Sequence, residues 1–235
     1  MMNDALRTVL LGMTLALAGC AAPGSHTSRE AAQCAPLEQE QQLAIQLARD
    51  MADQGRLHAA LAHLEQLPGN LPDVRLQKAT ILRRLEHPDA YALYTSLLNG
   101  CVAAEAYHGL GQIEAVNGRY DQARVHMQKA ASLNPSSFTI RNDLGFVYLQ
   151  HRELDKAQFE FMTALELSHD DALPMENLLT LLLYQGKQQE YNVLLREGRA
   201  TALQYQRADA RARRLKQEDE QAYPPINSNA EQGGV

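Results

Sequence analysis

The 235-residue sequence has no tryptophan, only three cysteines and no excess of positive charge. With a net charge of −6 it lacks the clustered basic face that nucleic acid requires, so DNA and RNA binding are disfavoured. Its apolar run from Val9 to Ala18 is too short to span a bilayer. No glycine-rich nucleotide loop, nucleophile elbow or His-Glu-x-x-His motif occurs, and the eight histidines are scattered singly. These absences speak against an enzyme and against a bound cofactor. No strand-like alternation is present either. With 45% hydrophobic residues the chain can still bury a sizeable core, enough for one elongated domain plus tails.

What the sequence does contain is a repeat. From Ala104 to Asp171 one 34-residue pattern runs twice without insertion or deletion. Numbering each unit from Ala104 and from Phe138, position 7 is Leu110 and Leu144, and position 8 is Gly111 and Gly145. Position 20 is Ala123 and Ala157, position 24 is Met127 and Phe161, and position 27 is Ala130 and Ala164. A 34-residue period with small residues at 8, 20 and 27 resembles the tetratricopeptide repeat, whose two antiparallel helices approach closely only where Cβ bulk is removed. Pro135 falls at position 32, where a proline ends the second helix and forces a turn; the next unit has His169 there.

The register extends both ways. With Gln41 as position 1, Leu47, Ala48, Ala60, Leu64 and Pro72 take positions 7, 8, 20, 24 and 32. Residues 75–103 form a degenerate unit, with Leu76, Ala79 and Leu82 on the face of its first helix and Ala90, Tyr94 and Leu97 on the face of its second, broken by the turn Glu86-His87-Pro88-Asp89. Gly55, Gly118 and Gly186 recur at position 15, where a glycine just past a helix end adopts positive φ. A fifth unit, 172–205, departs from the pattern at 8, 20 and 27, where leucine, tyrosine and glycine replace the expected residues. Ala200 to Gln221 keeps a sparse stripe of Ala202, Tyr205, Ala208, Ala212 and Leu215, suited to a capping helix. The expected fold is an all-α, right-handed solenoid of about five helix-turn-helix repeats plus that cap. The expected domain spans 37–222, with units near 41–74, 75–103, 104–137, 138–171 and 172–205, and a disordered tail follows over 223–235.

Residues 1–19 read as a targeting segment. Leu17-Ala18-Gly19-Cys20 resembles the bacterial lipobox, which implies a lipidated Cys20 as mature N-terminus and palmitate among its acyl chains; an ordinary secretory signal is the alternative. Three acyl chains, at about 0.8 kcal/mol per buried CH₂, exceed what stable anchoring needs. With alanine after the cysteine, the resemblance implies the outer membrane, periplasmic face. Residues 22–33 then form a flexible tether with a reach of roughly 20 Å. In that oxidising compartment Cys34 and Cys101 are either a disulfide or two separate thiols. A bond closing about 68 residues would contribute roughly 4 kcal/mol in the chain-entropy model.

In the tetratricopeptide family, positions 2, 5, 9, 12 and 13 of the first helix face the concave groove. Here they include Thr139, Asn142, Phe146, Leu149 and Gln150, then Leu173, Glu176, Thr180, Leu183 and Tyr184, with Val116 at position 13 of the unit from Ala104. Val116, Asn142, Phe146, Leu149, Leu183 and Tyr184 are the candidate partner-binding groove. Its apolar members suit an amphipathic partner helix, unless the C-terminal region folds back over them. Glu105-x-x-His108 has the spacing of half a metal site, but no companion ligands are recognisable, so no metal is expected.

Ile140 to Leu149 (IRNDLGFVYL), then Leu154-Asp155-Lys156-Ala157 and Asn177-Leu178-Leu179, resemble the lipoproteins of tight-adherence (Flp) pilus assembly, the TadD type. That resemblance implies a non-enzymatic scaffold in type IVb pilus assembly and secretion, helping an outer-membrane secretin to localise or assemble. The alternative is a periplasmic adaptor lipoprotein that scaffolds cell-wall hydrolases or outer-membrane assembly factors.

Overall fold

The computed structural model describes residues 36–168 and 172–222. The signal segment, Cys20, the tether to position 35, Cys34, His169 and the tail from 223 lie outside the described residues. Those residues form eleven α-helices and no strand: α1 Gln39–Asp53, α2 Leu57–Leu64, α3 Pro72–Arg84, α4 Asp89–Thr95, α5 Ala103–Val116 and α6 Tyr120–Leu133 are the first six. They continue as α7 Phe138–Gln150, α8 Leu154–Leu167, α9 Ala172–Tyr184, α10 Gln188–Arg196 and α11 Ala202–Ala222. None is long and apolar enough to cross a membrane.

The small-residue positions hold the pairs together. Ala48, Ala79, Ala60, Ala90, Ala123 and Ala157 are buried where paired helices cross, against Leu64, Tyr94, Met127 and Phe161. A Cβ added at Gly145 would sit 2.7 Å from the Phe161 ring, and one at Gly109 only 2.2 Å from Tyr94. The backbones of α7 and α5 therefore rest directly on aromatic rings, a closeness no side chain permits. Burial follows the chain in successive local clusters, as expected where each repeat touches its neighbours.

Every repeat turns in the same way. Position 15 has positive φ in four units, at Gly55, Gly118, Arg152 and Gly186, and Glu86 has it at the matching turn of the degenerate unit. The following amide then bonds the carbonyl five residues back, as in Arg119 N to Glu114 O and Glu153 N to Tyr148 O, both 2.9 Å. Glu86 and Arg152 adopt this left-handed conformation without being glycine.

Two placements differ from expectation. Pro72 opens α3 instead of closing the first unit; at the first helical position its missing N–H costs nothing. The fifth unit does not run to position 205: α10 ends at Arg196, and α11 begins at Ala202 after a turn at Gly198 with φ 66°. Leu179 and Tyr191 fill the slots that hold glycine or alanine in the central units, so α10 cannot close on α9 as α6 does on α5. The main packing partner of α9 is α11.

Candidate protein-binding groove

The inner wall is built from the first helices of successive repeats, and a polar ladder crosses each boundary between the later ones. His108 Nε2 on α5 lies 2.8 Å from Asp143 Oδ2 on α7, and Gln112 Nε2 donates to the same oxygen at 2.9 Å. Asn177 Nδ2 on α9 donates to Asn142 Oδ1 at 2.8 Å, with both side chains buried. Glu176, also buried, takes Arg211 at 3.0 Å and Arg207 at 3.6 Å from α11. Burial alone would push the Asp143 carboxyl up. The hydrogen bonds and charge of His108, with the donors of Gln112 and Asn142, outweigh it and hold the group below the usual aspartate value.

Between α3, α5 and α7 this wall opens into a recess of about 410 Å³, lined by Thr80, Arg83, His108, Gln112, Thr139 and Asp143 with the apolar Leu76, Tyr94, Leu173 and Pro174. Donors, acceptors and apolar side chains are mixed in its lining. Such a lining suits a polypeptide segment, which presents the same mixture.

The candidate strip meets a different fate. Phe146 is 38% exposed and Val116 81%, but Leu149 and Leu183 are 2% and 7% exposed. Tyr184 donates from its hydroxyl to Asp219 Oδ2 at 2.5 Å, and the Arg152 guanidinium stands 5.5 Å from its ring centre. Asn142 is 3% exposed and spent on the ladder. The six residues therefore do not form one open strip. α11 folds back over the inner face of α9, and Leu149, Leu183 and Tyr184 lie in its contact surface.

Sequence reasoning passed over the residue that organises this contact. Arg152 Nε donates to Asp219 Oδ1 at 2.8 Å, and its Nη2 donates to Leu215 O at 3.3 Å. The available signal was its register: it stands at position 15, where three other units have glycine. As for a metal, His108 is committed to Asp143 and Glu105 is exposed. No group of three or more His, Cys, Asp or Glu able to hold an ion occurs among the described residues. Cys101 is disulfide-bonded, and Cys34 lies outside the described residues.

The tetratricopeptide repeat family model matches residues 104–137, the unit that defines the register. A TPR repeat-containing protein of Pseudomonas aeruginosa, PA4299, is 46% identical over 198 residues, covering 84% of this chain and 80% of that protein. The chain is a tetratricopeptide-repeat protein. Among solved structures, the TPR protein TTC0263 of Thermus thermophilus superposes with a TM-score of 0.54 at 23% identity. It covers 75% of this tetratricopeptide protein and 98% of its own chain. The PilF protein of Pseudomonas aeruginosa gives 0.55 at 19% identity, over 79% and 92%. At such identities these two speak to the fold alone. A tetratricopeptide array presents a concave wall for protein–protein interaction, and here part of that wall is open and part is covered.

Proposed function

We propose that this tetratricopeptide protein is a non-enzymatic scaffold lipoprotein of Flp/Tad pilus assembly. It is anchored through Cys20 in the bacterial outer membrane, faces the periplasm, and binds an outer-membrane secretin or another assembly component. The observation that carries the binding role is the open recess between α3, α5 and α7, which α11 leaves uncovered and whose lining matches a polypeptide. The sequence block from Ile140 to Leu179 supports the pilus assignment, and Leu17-Ala18-Gly19-Cys20 supports the anchor.

A photo-crosslinking amino acid in place of Thr139, exposed at the recess, tests the partner directly in intact envelopes. The expected adduct contains a secretin subunit or pilus component and disappears when Glu105, which also lines the recess, is replaced by the bulkier and oppositely charged arginine, Glu105→Arg. An adduct with cell-wall hydrolases or outer-membrane assembly factors would replace the pilus reading with the adaptor one. The anchor is tested separately, since Cys20→Ala should abolish labelling by a clickable fatty acid.

A further inference from the structure

The C-terminal half of the concave wall is already occupied by a helix, and the way α11 holds it defines what fits. Only Ala208, Ala212 and Leu215 of its 21 residues are buried, at i, i+4 and i+7. Leu215 joins the cluster of Leu149 and Leu182, while the two alanines join that of Met175, Leu179 and Leu183. The rest of the attachment is the half-buried Tyr205, stacked on Tyr191, and a set of charged groups. Arg207 and Arg211 meet Glu176, Lys216 Nζ donates to Leu183 O at 3.1 Å, and Asp219 meets Arg152 at 2.6 Å. α11 thus runs parallel to α9, held at one end by two part-exposed arginines on the buried Glu176 carboxylate and at the other by the part-exposed Arg152–Asp219 pair, which salt screens.

Two further features separate α11 from a fixed cap. It starts on its own capping box, with Gln204 N donating to Thr201 Oγ1 at 3.2 Å and Thr201 N donating to Gln204 Oε1 at 2.8 Å, so it needs no groove to begin. Arg152 keeps a left-handed conformation, φ 60°, that strains any residue but glycine, and its guanidinium reaches across to Asp219, Glu218 and the Leu215 carbonyl. Beneath α11 lie leucine and tyrosine side chains much larger than the alanines that touch them.

We propose that α11 is a displaceable occupant of this groove, and that the groove is a docking site for a partner's amphipathic helix of the same pattern. That pattern has small residues at i and i+4, a leucine at i+7, arginines preceding the small residues, and an aspartate one turn beyond the leucine. The site deepens the scaffold reading by adding a second, gated surface beside the open recess, and it rests on that reading.

The test uses the full chain and a fluorescein-labelled peptide of residues 202–222 as probe. Arg211→Glu with Asp219→Arg sets α11 against Glu176 and Arg152 while leaving the groove intact. The peptide should bind this variant at least tenfold more tightly than it binds the unaltered chain, and a peptide carrying Asp219→Arg should lose that gain. Equal binding to both chains overturns the proposal. Hydrogen exchange on the unaltered chain gives an independent answer should the double variant misfold. Amides of α11 should exchange ahead of those in α7 and α9, whereas exchange of α11 only with global unfolding makes it a fixed cap and also overturns the proposal. No envelope partner enters either measurement, so failure to crosslink a pilus component leaves this result untouched.

Discussion

The repeat formed by α7 and α8 and the unit formed by α9, α10 and α11 solve the same packing problem in different ways. In the first, Gly145 and Ala157 remove bulk at the crossing, and Phe161 fills the space against bare backbone. In the second, Leu179 and Tyr191 occupy those positions, α10 is held through the Tyr191 ring stacked on Tyr205 of α11 at 4.7 Å, and α11 takes the place against α9. Backbone-close packing is specific and continues an array. Packing through side chains and ion pairs ends one, and it can open without dismantling what precedes it.

That contrast is sharpest at the crossing positions. Gly145→Leu forces side-chain atoms into the space of Phe161, and overpacking of this kind typically costs about 1–3 kcal/mol before any backbone splaying. The thermal melt should fall by several degrees or more, with loss of helix in the central repeats. Leu179→Met, at the equivalent position of the last unit, conserves volume and should cost under about 1.5 kcal/mol. Equal melting of both variants would mean that the two regions pack by one rule.

The central repeats were legible because glycine and alanine recurred at fixed spacing, and only a close helix crossing demands that. The inward direction of Leu149, Leu183 and Tyr184 also followed from register. What covers them did not, because register sets the side a residue faces and not its neighbour there. α11 attaches largely through alanines and charges, a pattern that reads as a wet helix, and its stripe begins at the half-buried Tyr205 because Ala202 is exposed. Arg152 was visible as an arginine among glycines, but its partners lie more than 60 residues onward, at Leu215 and Asp219.

A second comparison uses two turns with the same backbone. Gly118, φ 71°, has open space where a Cβ would go, so Gly118→Ala should cost about 1 kcal/mol through backbone strain alone. Arg152→Gly removes that strain and also the tie to Asp219. Its melt should stay within a few degrees of the unaltered protein, while trypsin cuts earlier within α11. A large drop in melting temperature with α11 protection unchanged would show that Arg152 serves its own repeat instead of holding α11.

The smallest expected effect is on pH. Hydrogen bonding from Arg152 holds the Asp219 carboxyl below the usual value against the opposing pull of burial, with Tyr184 donating as well. A depressed carboxyl contributes stability that is complete above its unfolded value, about 3.9, and is lost as pH falls through the lower folded value. α11 should therefore stay docked from neutral pH down to about pH 4 and loosen below it. Burial pushes the Tyr184 hydroxyl up, and Asp219 adds to that shift, so tyrosine remains a donor throughout this range. Asp143 titrates with the same sign in the central ladder, whereas Glu160, raised by burial despite Arg141, opposes it. Only a difference between chains isolates the α11 contact. Since Asp219 is 38% exposed, its contribution is that of a screened surface pair, under about 1 kcal/mol, or roughly 2–4 °C for a chain of this size. Asp219→Asn should remove this part of the acid sensitivity of α11 exchange and leave the protection of α5 and α7 unchanged. If α11 in the variant still loosens at the same pH, acid acts elsewhere and the Arg152 tie is not what distinguishes the two regions.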